Sequence, residues 1–234
     1  MEALAIIPAR GGSKSIPMKN IAMLAGKPLI AYSIEVAQQS HHISRLVVST
    51  DCEEIRDISL RYGAEVPFLR PTELAQDDTP DLPVFIHVLE RLKENQAYSP
   101  EIVVHLRPTT PLRKPGKIDE AIERLVERPE ADSVRSVSLP LQNPFKMWKP
   151  GDPFLRPLID LDVREPYNQP RQKLPVAYWQ NGYVDVARVQ TILSKKSMTG
   201  ERILPYVMEE QFVIDIDQPF SLELAEIFLQ HGEY

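Results

Sequence analysis

Leu4-Ala5-Ile6-Ile7-Pro8-Ala9-Arg10-Gly11-Gly12-Ser13-Lys14-Ser15-Ile16-Pro17-Met18-Lys19-Asn20 opens as an apolar run and closes as a basic, glycine-bearing loop. The opening run reads as a strand buried on both faces, as in a parallel sheet. The loop combines two glycines, a hydroxyl and the cations Arg10, Lys14 and Lys19, a mixture that favours phosphate. Glycine lets backbone N–H groups approach anionic oxygens, and the cations neutralise their charge. The spacing is neither G-x-x-x-x-G-K-[ST] nor G-x-G-x-x-G, so residues alone indicate a phosphate loop of unspecified type. A lone Gly-Gly-x-Lys is more often a solvated turn; the position directly after a first strand favours phosphate.

Outward from this loop, short β-branched runs alternate with longer amphipathic stretches, the pattern of a sheet covered by helices on both faces. Strands are predicted over Leu4 to Ile7, Leu46 to Ser49, Ile102 to Leu106 and Ser133 to Ser138. Helices are predicted over Pro28 to Gln39, Glu53 to Tyr62, Leu82 to Glu94 and Lys117 to Glu127. Pro28 suits a first helical position, and Asp51 ahead of Glu53 and Glu54 suits an N-cap with an acidic first turn. From Pro140 to Pro175 the rhythm breaks among prolines, which reads as an excursion from the core. Regular elements return over Tyr183 to Ala187, Val189 to Leu193, Ile203 to Val207 and Phe212 to Ile216, with a closing helix from Ser221 to Gln230. A chain of 234 residues is expected to form one domain. Ligands of open α/β sheets sit beyond the carboxyl ends of strands, which singles out Pro8 to Asn20, Thr50-Asp51 and Arg107 to Arg113.

A formal net charge of -6 and an isoelectric point near 5.5 give no general attraction to nucleic acid or to an anionic membrane. Any bound anion must therefore meet a local basic site. The basic residues are punctuated by acids and carry no aromatic-basic signature, which argues against a nucleic-acid reader. The single cysteine, Cys52, rules out an internal disulfide framework, and no Cys/His spacing suits zinc. No apolar run approaches membrane-spanning length and none forms a signal-peptide core, so the cytoplasm is the expected compartment.

The blocks Ile7-Pro8-Ala9-Arg10-Gly11-Gly12-Ser13-Lys14, Ile16-Pro17 and Lys19-Asn20 resemble the signature of the acylneuraminate cytidylyltransferases, the CMP-sialic acid synthetases and their bacterial relatives. Ordered blocks extend the resemblance along nearly the whole chain: Leu69-Arg70-Pro71, Arg107-Pro108-Thr109-Thr110-Pro111-Leu112-Arg113, Arg171-Gln172, Asn181-Gly182 and Asp215-Ile216-Asp217. The resemblance implies an α/β, three-layer, Rossmann-like fold of the nucleotide-diphospho-sugar transferases. In it a mainly parallel sheet carries helices on both faces, with a dimerisation excursion at about 140–178. It also implies transfer of CMP from CTP to the anomeric hydroxyl of a sialic-acid-like 2-keto sugar acid, with Mg²⁺ as cofactor, release of pyrophosphate, and a homodimer with shared sites.

Such an in-line attack needs cations where charge accumulates and a positioned acceptor oxygen more than it needs a covalent intermediate. By the resemblance, Arg10 and Lys19 grip the triphosphate and stabilise the leaving pyrophosphate, while Ala9, Gly11, Gly12, Ser13 and Lys14 complete the cradle and Asn20 reaches the nucleotide. Arg70 reads equally well as a strand-end arginine, and the resemblance decides for a place near base and ribose. Leu74 to Asp81 follows as a nucleotide-proximal loop. Arg107, Thr109 and Thr110 are expected to meet the sugar acid. The family often has glutamine at the place of Arg107, so this residue either binds a different substituent or pairs with an internal acid. Lys146 would reach the site from the excursion, and Arg171, Gln172 and Asn181 would hold the sugar acid, arginine being suited to a carboxylate. Asp215 and Asp217, on alternate positions of a predicted strand, share a face and form a candidate Mg²⁺ site, with Asp217 counted among the catalytic residues. As an isolated pair they read equally well as a cap for the following helix.

His87 has the spacing of a core or helix-face histidine, and Tyr178 and Trp179 read first as packing residues. Two rival functions remain: a sugar 1-phosphate nucleotidyltransferase of the same fold, and a nucleotide-binding homologue without catalysis.

Overall fold

A computed structural model describes residues 2–208 and 213–232. In chain order the elements are β1 (Ala3–Pro8), a ribbon of β2 (Met23–Leu24) and β3 (Lys27–Pro28), α1 (Leu29–Gln38), β4 (Ile43–Ser49), α2 (Glu53–Arg61), α3 (Asp81–Gln96) and β5 (Ile102–His105). There follow α4 (Lys117–Val126), β6 (Ser133–Ser138), a second ribbon of β7 (Trp148–Lys149) and β8 (Arg156–Pro157), β9 (Trp179–Arg188), α5 (Val189–Leu193), β10 (Ile203–Val207) and α6 (Pro219–His231).

The main sheet runs β10-β6-β9-β5-β1-β4, parallel except for β9, which lies antiparallel between β6 and β5. Side chains alternate along β1. Ala3, Ala5 and Ile7 enter one core with Ile30 and Ile34 of α1, Ile55 of α2 and Ile122 of α4, while Leu4 and Ile6 pack against Phe85 and Leu92 of α3 and Ile192 beyond them. Burial on both faces explains why β1 reads as an unbroken apolar run, and the expected mainly parallel α/β fold is what forms. A third cluster of Leu24, Leu29, Ile214, Ile216 and Ala225 docks α6 beside the first ribbon.

Three local expectations are corrected. Pro28 precedes the helix as its cap and closes β3, because the ribbon claims its backbone; α1 starts at Leu29. Asp51 does not cap α2, whose N-cap position is Cys52; the Asp51 carboxylate instead accepts the Gly11 N–H at 2.9 Å. The predicted element at Phe212 to Ile216 is not a strand over Val213 to Ile216, and Phe212 lies outside the described residues. Among the described residues that stretch joins no ladder; it is tied to the strand-end loop by Ile216 N–H donating to the Thr109 carbonyl at 2.7 Å.

Gly182 interrupts β9 with φ +72°, a left-handed conformation that favours glycine. Opposite it the β6 register shifts between Arg135 and Val137. The bulge is stitched by Asn181, which is 1% exposed: its Oδ1 accepts from Ser136 Oγ at 2.6 Å and its amide donates to Ser138 Oγ at 2.8 Å.

Residues 139–178 leave and re-enter the sheet at one rung, where Ser138 pairs with Trp179. Because β6 runs parallel to β5, this lobe rises from the same sheet edge as the loop after β1. It holds three single-turn helices (Pro144–Lys146, Pro166–Asn168, Arg171–Lys173), the β7/β8 ribbon, and a Trp148–Tyr167 ring contact at 4.4 Å. Among the described residues no helix is long and apolar enough to cross a membrane.

Candidate active site

The carboxyl ends of β1 and β5 open onto a cleft of about 530 Å³. One wall is the loop after β1, which supplies Arg10, Ser13, Lys14, Lys19 and Asn20. The loop is shaped from within and from below. The Ala9 N–H donates to the Ser49 carbonyl at 2.9 Å, and the Asn20 amide donates to the Arg10 carbonyl at 2.9 Å. A Cβ on Gly11 would lie 2.9 Å from Cys52 Cβ, whereas one on Gly12 would meet nothing within 4 Å. Gly11 is therefore required by close approach to α2, and Gly12 leaves the loop backbone open.

Each loop cation has a carboxylate partner. Arg10 Nη1 lies 3.0 Å from Asp77 Oδ1, Lys14 pairs with the other oxygen of Asp77, and Lys19 Nζ lies 2.9 Å from Asp217 Oδ1. The Lys14 hydrogen bond, helped by the charges of Lys14 and Arg10, holds the Asp77 carboxyl below its usual range. Asp77, Thr79 and Asp81 of the Leu74 to Asp81 segment also line the cleft.

Arg70 lines the cleft yet is 6% exposed and committed to the protein. It donates to the Ser49 carbonyl at 2.5 Å, to Ser49 Oγ at 3.1 Å and to the Leu74 carbonyl at 3.4 Å. Burial lowers its pKa to about 10, still leaving it charged at neutral pH. It serves as a strand-end clamp that borders the cleft.

Arg107, His105 and Asp81 form the opposite wall. Arg107 Nη1 donates to Asp185 Oδ2 at 3.0 Å, so pairing with an internal acid, left open by the sequence, is what occurs. Arg135 Nε donates to the other oxygen of Asp185 at 2.9 Å. His105 is 3% exposed, packs edge-on against Phe85 with centroids 4.7 Å apart, and among the described residues has no hydrogen-bond partner at Nε2. Burial, reinforced by Arg107, Arg113 and Arg135, pushes its pKa well below 6.5, so the imidazole is neutral. Asp81, the first residue of α3, has its pKa raised by burial against the opposing pull of Arg107. Sequence reading gave His105 and Asp185 no role.

Asp215 and Asp217 flank this cleft. Ile214 and Ile216 point into the core and the two acids away from it, the alternation expected of extended backbone. Asp215 receives the Thr109 hydroxyl, its Oδ1 is buried without a partner among the described residues, and burial raises its pKa, with the charge of Asp217 adding to the shift. An orphaned carboxylate oxygen beside a second carboxylate is a donor set that fits a hard divalent cation. Among the described residues no group of three or more His, Cys, Asp or Glu could enclose a metal, so a cation here would lean on water and ligand oxygens.

Other sequence-selected residues lie elsewhere. Thr110 is 1% exposed beneath Gly182 and does not line the cleft. Asn181 Oδ1 accepts from both Ser136 Oγ and the Tyr183 N–H and its amide nitrogen donates to Ser138 Oγ, so most of its hydrogen-bonding capacity goes to the fold. Arg171 and Gln172 line a separate groove of about 280 Å³ with Leu139, Asn143 and Val176, and Arg171 donates to the Pro140 carbonyl at 3.0 Å. Lys146 is exposed on the lobe and lines neither cavity. Within one chain the lobe folds onto its own ribbon and turns, which keeps these three residues from the main cleft. His87 packs edge-on against Phe68 with centroids 5.3 Å apart, as a helix-face histidine.

A parallel-sheet edge with a basic glycine loop and converging carboxylates defines a nucleotide-handling α/β enzyme site. Residues 4–231 match the family described as Cytidylyltransferase, and the chain belongs to that family. It is 35% identical over 235 residues to the CMP-N,N'-diacetyllegionaminic acid synthase of Legionella pneumophila, covering 98% of this chain and 97% of that protein. It is 33% identical over 230 residues to the pseudaminic acid cytidylyltransferase of Campylobacter jejuni, covering 97% and 96%. Its fold is similar to a structure of CMP:2-keto-3-deoxy-manno-octonic acid synthetase complexed with CTP, with a TM-score of 0.71, 14% identity, and coverage of 99% of this chain and 100% of the other.

Proposed function

We propose that this protein transfers CMP from CTP to the anomeric hydroxyl of a sialic-acid-like 2-keto sugar acid and releases pyrophosphate. The observation that carries the reading is the convergence of Arg10, Lys14 and Lys19 on one wall of the cleft in a protein whose net charge is -6. Such a concentration of cations answers to a polyanion. Relatives acting on legionaminic and pseudaminic acids support a nonulosonic acid as acceptor.

In this mechanism Arg10 and Lys14 exchange Asp77 for phosphate oxygens, and Lys19 stabilises charge on the departing pyrophosphate. Backbone N–H groups around Gly12 approach the same oxygens. Asp215 and Asp217 hold Mg²⁺, which when bound neutralises phosphate charge. The acceptor lies against the Arg107 wall, and fixed positioning of its hydroxyl supplies much of the acceleration.

The protein works as a homodimer. Phe154, Leu155 and Val176 of the lobe are 77%, 65% and 74% exposed, apolar surface suited to burial against a second copy. In that assembly Lys146, Arg171 and Gln172 act on the partner's cleft. The test is pyrophosphate release with CTP and a panel of nonulosonic acids, set against UTP or GTP with hexose 1-phosphates. Turnover only with the hexose 1-phosphates would defeat the reading.

A further inference from the structure

The sheet face toward α3 and α5 is apolar along most of its length, through Leu4, Ile6, Val103 and Ala187. At the cleft end this pattern stops. His105, Asp185 and Arg135 occupy one rung across β5, β9 and β6, with Asp185 the register partner of both neighbours. Residues paired this way present their side chains on the same face. Three polar groups therefore take places where alternation calls for core residues. A buried ionic row loses hydration that its internal attractions barely return, so it is a poor device for stability alone.

Asp185, 6% exposed, is the hub. It accepts from Arg107 Nη1 at 3.0 Å, from Arg135 Nε at 2.9 Å and Nη2 at 3.4 Å, and from Gln180 Nε2 at 3.4 Å. Arg107 is gripped at its backbone too, its carbonyl accepting from Ser33 Oγ at 3.1 Å and from Arg113 Nη2 at 2.9 Å. Arg113 is buried and its guanidinium donates to the Tyr183 and Arg107 carbonyls and Ser33, so among the described residues it adds positive charge without an acid partner of its own. The other edge of Arg107 is less engaged: Nη2 faces Asp81 across 3.8 Å, too far for a hydrogen bond, and the side chain lines the cleft.

We infer that Asp185 is a positioning residue for the acceptor: by holding Arg107 Nη1 in common with Arg135, it turns the Nη2 edge of Arg107 into the cleft, where it donates to an oxygen of the sugar acid. This rests on the proposed function. The guanidinium is planar, so fixing one edge fixes the direction of the other. Asp185 itself touches no substrate.

The experiment is a double-mutant cycle read by steady-state kinetics on full-length protein. It uses CTP and the acceptor with the highest wild-type turnover in the nonulosonic panel. Asp185→Asn should raise the acceptor KM by about tenfold or more and leave the CTP KM within about twofold, as should Arg107→Gln. The double variant should be no worse than Arg107→Gln, because Asp185 acts through Arg107. Equal losses for both substrates, or an additive loss in the double variant, would overturn the inference. If Asp185→Asn fails to fold, Asp185→Glu keeps the charge but displaces it by one methylene and should give the same acceptor-selective defect; an unchanged acceptor KM in that variant counts against the positioning role. A wild-type protein that turns over no nonulosonic acid defeats the underlying function instead, and the inference with it.

Discussion

Lys19 and Asp217 stand 198 positions apart in sequence and 2.9 Å apart in space, so the first loop and the segment leading into the last helix meet across the cleft. The Lys19 side chain is 15% exposed while that of Asp217 is 69% exposed. The lysine is thus held in place by its surroundings, and the aspartate is the partner free to be exchanged for phosphate.

Lys19→Ala should lower kcat by roughly a hundredfold or more while leaving the fold intact, since a cation aimed at developing charge contributes mainly in the transition state. Pyrophosphate release alongside a circular-dichroism melt provides the check. Wild-type kcat in this variant would remove Lys19 from the mechanism.

Asp217→Ala should abolish the response to added Mg²⁺ with a stability change of about 0.5 kcal/mol or less, as for an exposed side chain outside the core. A magnesium titration of pyrophosphate release reads the first effect and urea unfolding the second. An unaltered titration curve would exclude Asp217 from the metal site.

The two loop glycines should separate. Gly11→Ala places a Cβ 2.9 Å from Cys52 Cβ and should cost about 1–3 kcal/mol while weakening CTP. Gly12→Ala has open space, so its effect should fall on CTP affinity with melting unchanged. Calorimetric titration with CTP and thermal melts of both variants distinguish them; equal destabilisation would contradict the packing described for Gly11.

His105 predicts the sign of a pH effect. Its folded pKa lies below the ordinary 6.5, so the unfolded chain binds the extra proton first as pH falls. Its contribution to stability is present above 6.5 and is lost as pH drops through 6.5 toward the folded value. His105→Phe should flatten the fall in urea midpoint between neutral and mildly acidic pH relative to wild type. Parallel curves for the two proteins would refute a buried neutral imidazole.

Phe154→Asp should convert a dimer into a monomer in sedimentation experiments, because a charge replaces a side chain that is 77% exposed in the single chain and covered in the proposed assembly. Unchanged sedimentation would show that the lobe does not carry the contact.

How much could be read from sequence follows from separation along the chain. The strand, its loop and the three cations lie within Leu4 to Asn20, where periodicity and composition are local signals, and the structure places Arg10, Lys14 and Lys19 together on one wall. Asp77 also falls in a segment marked in advance. Asp185 and His105 gave no such signal, since their role depends on β9 inserting antiparallel beside β5. Asn181 illustrates the converse: a conspicuous Asn-Gly pair can mark a bulge, its amide bonded to Ser136, Ser138 and the Tyr183 N–H. Asp51 looked like a helix cap because spacing cannot show that the Gly11 N–H lies nearer.

The rung joining Ser138 to Trp179 also bears on how such chains diversify. Everything between those residues is a closed loop as far as the sheet is concerned. Doubling a flexible loop's length adds only about 0.6 kcal/mol to its closure entropy. Insertions within residues 139–178 that spare Lys146, Arg171 and Gln172 therefore cost the sheet little while the rung is kept, whereas a one-residue slip in β6 or β9 would reverse the facing of every side chain behind it. The length of the lobe can thus change without disturbing the nucleotide loop.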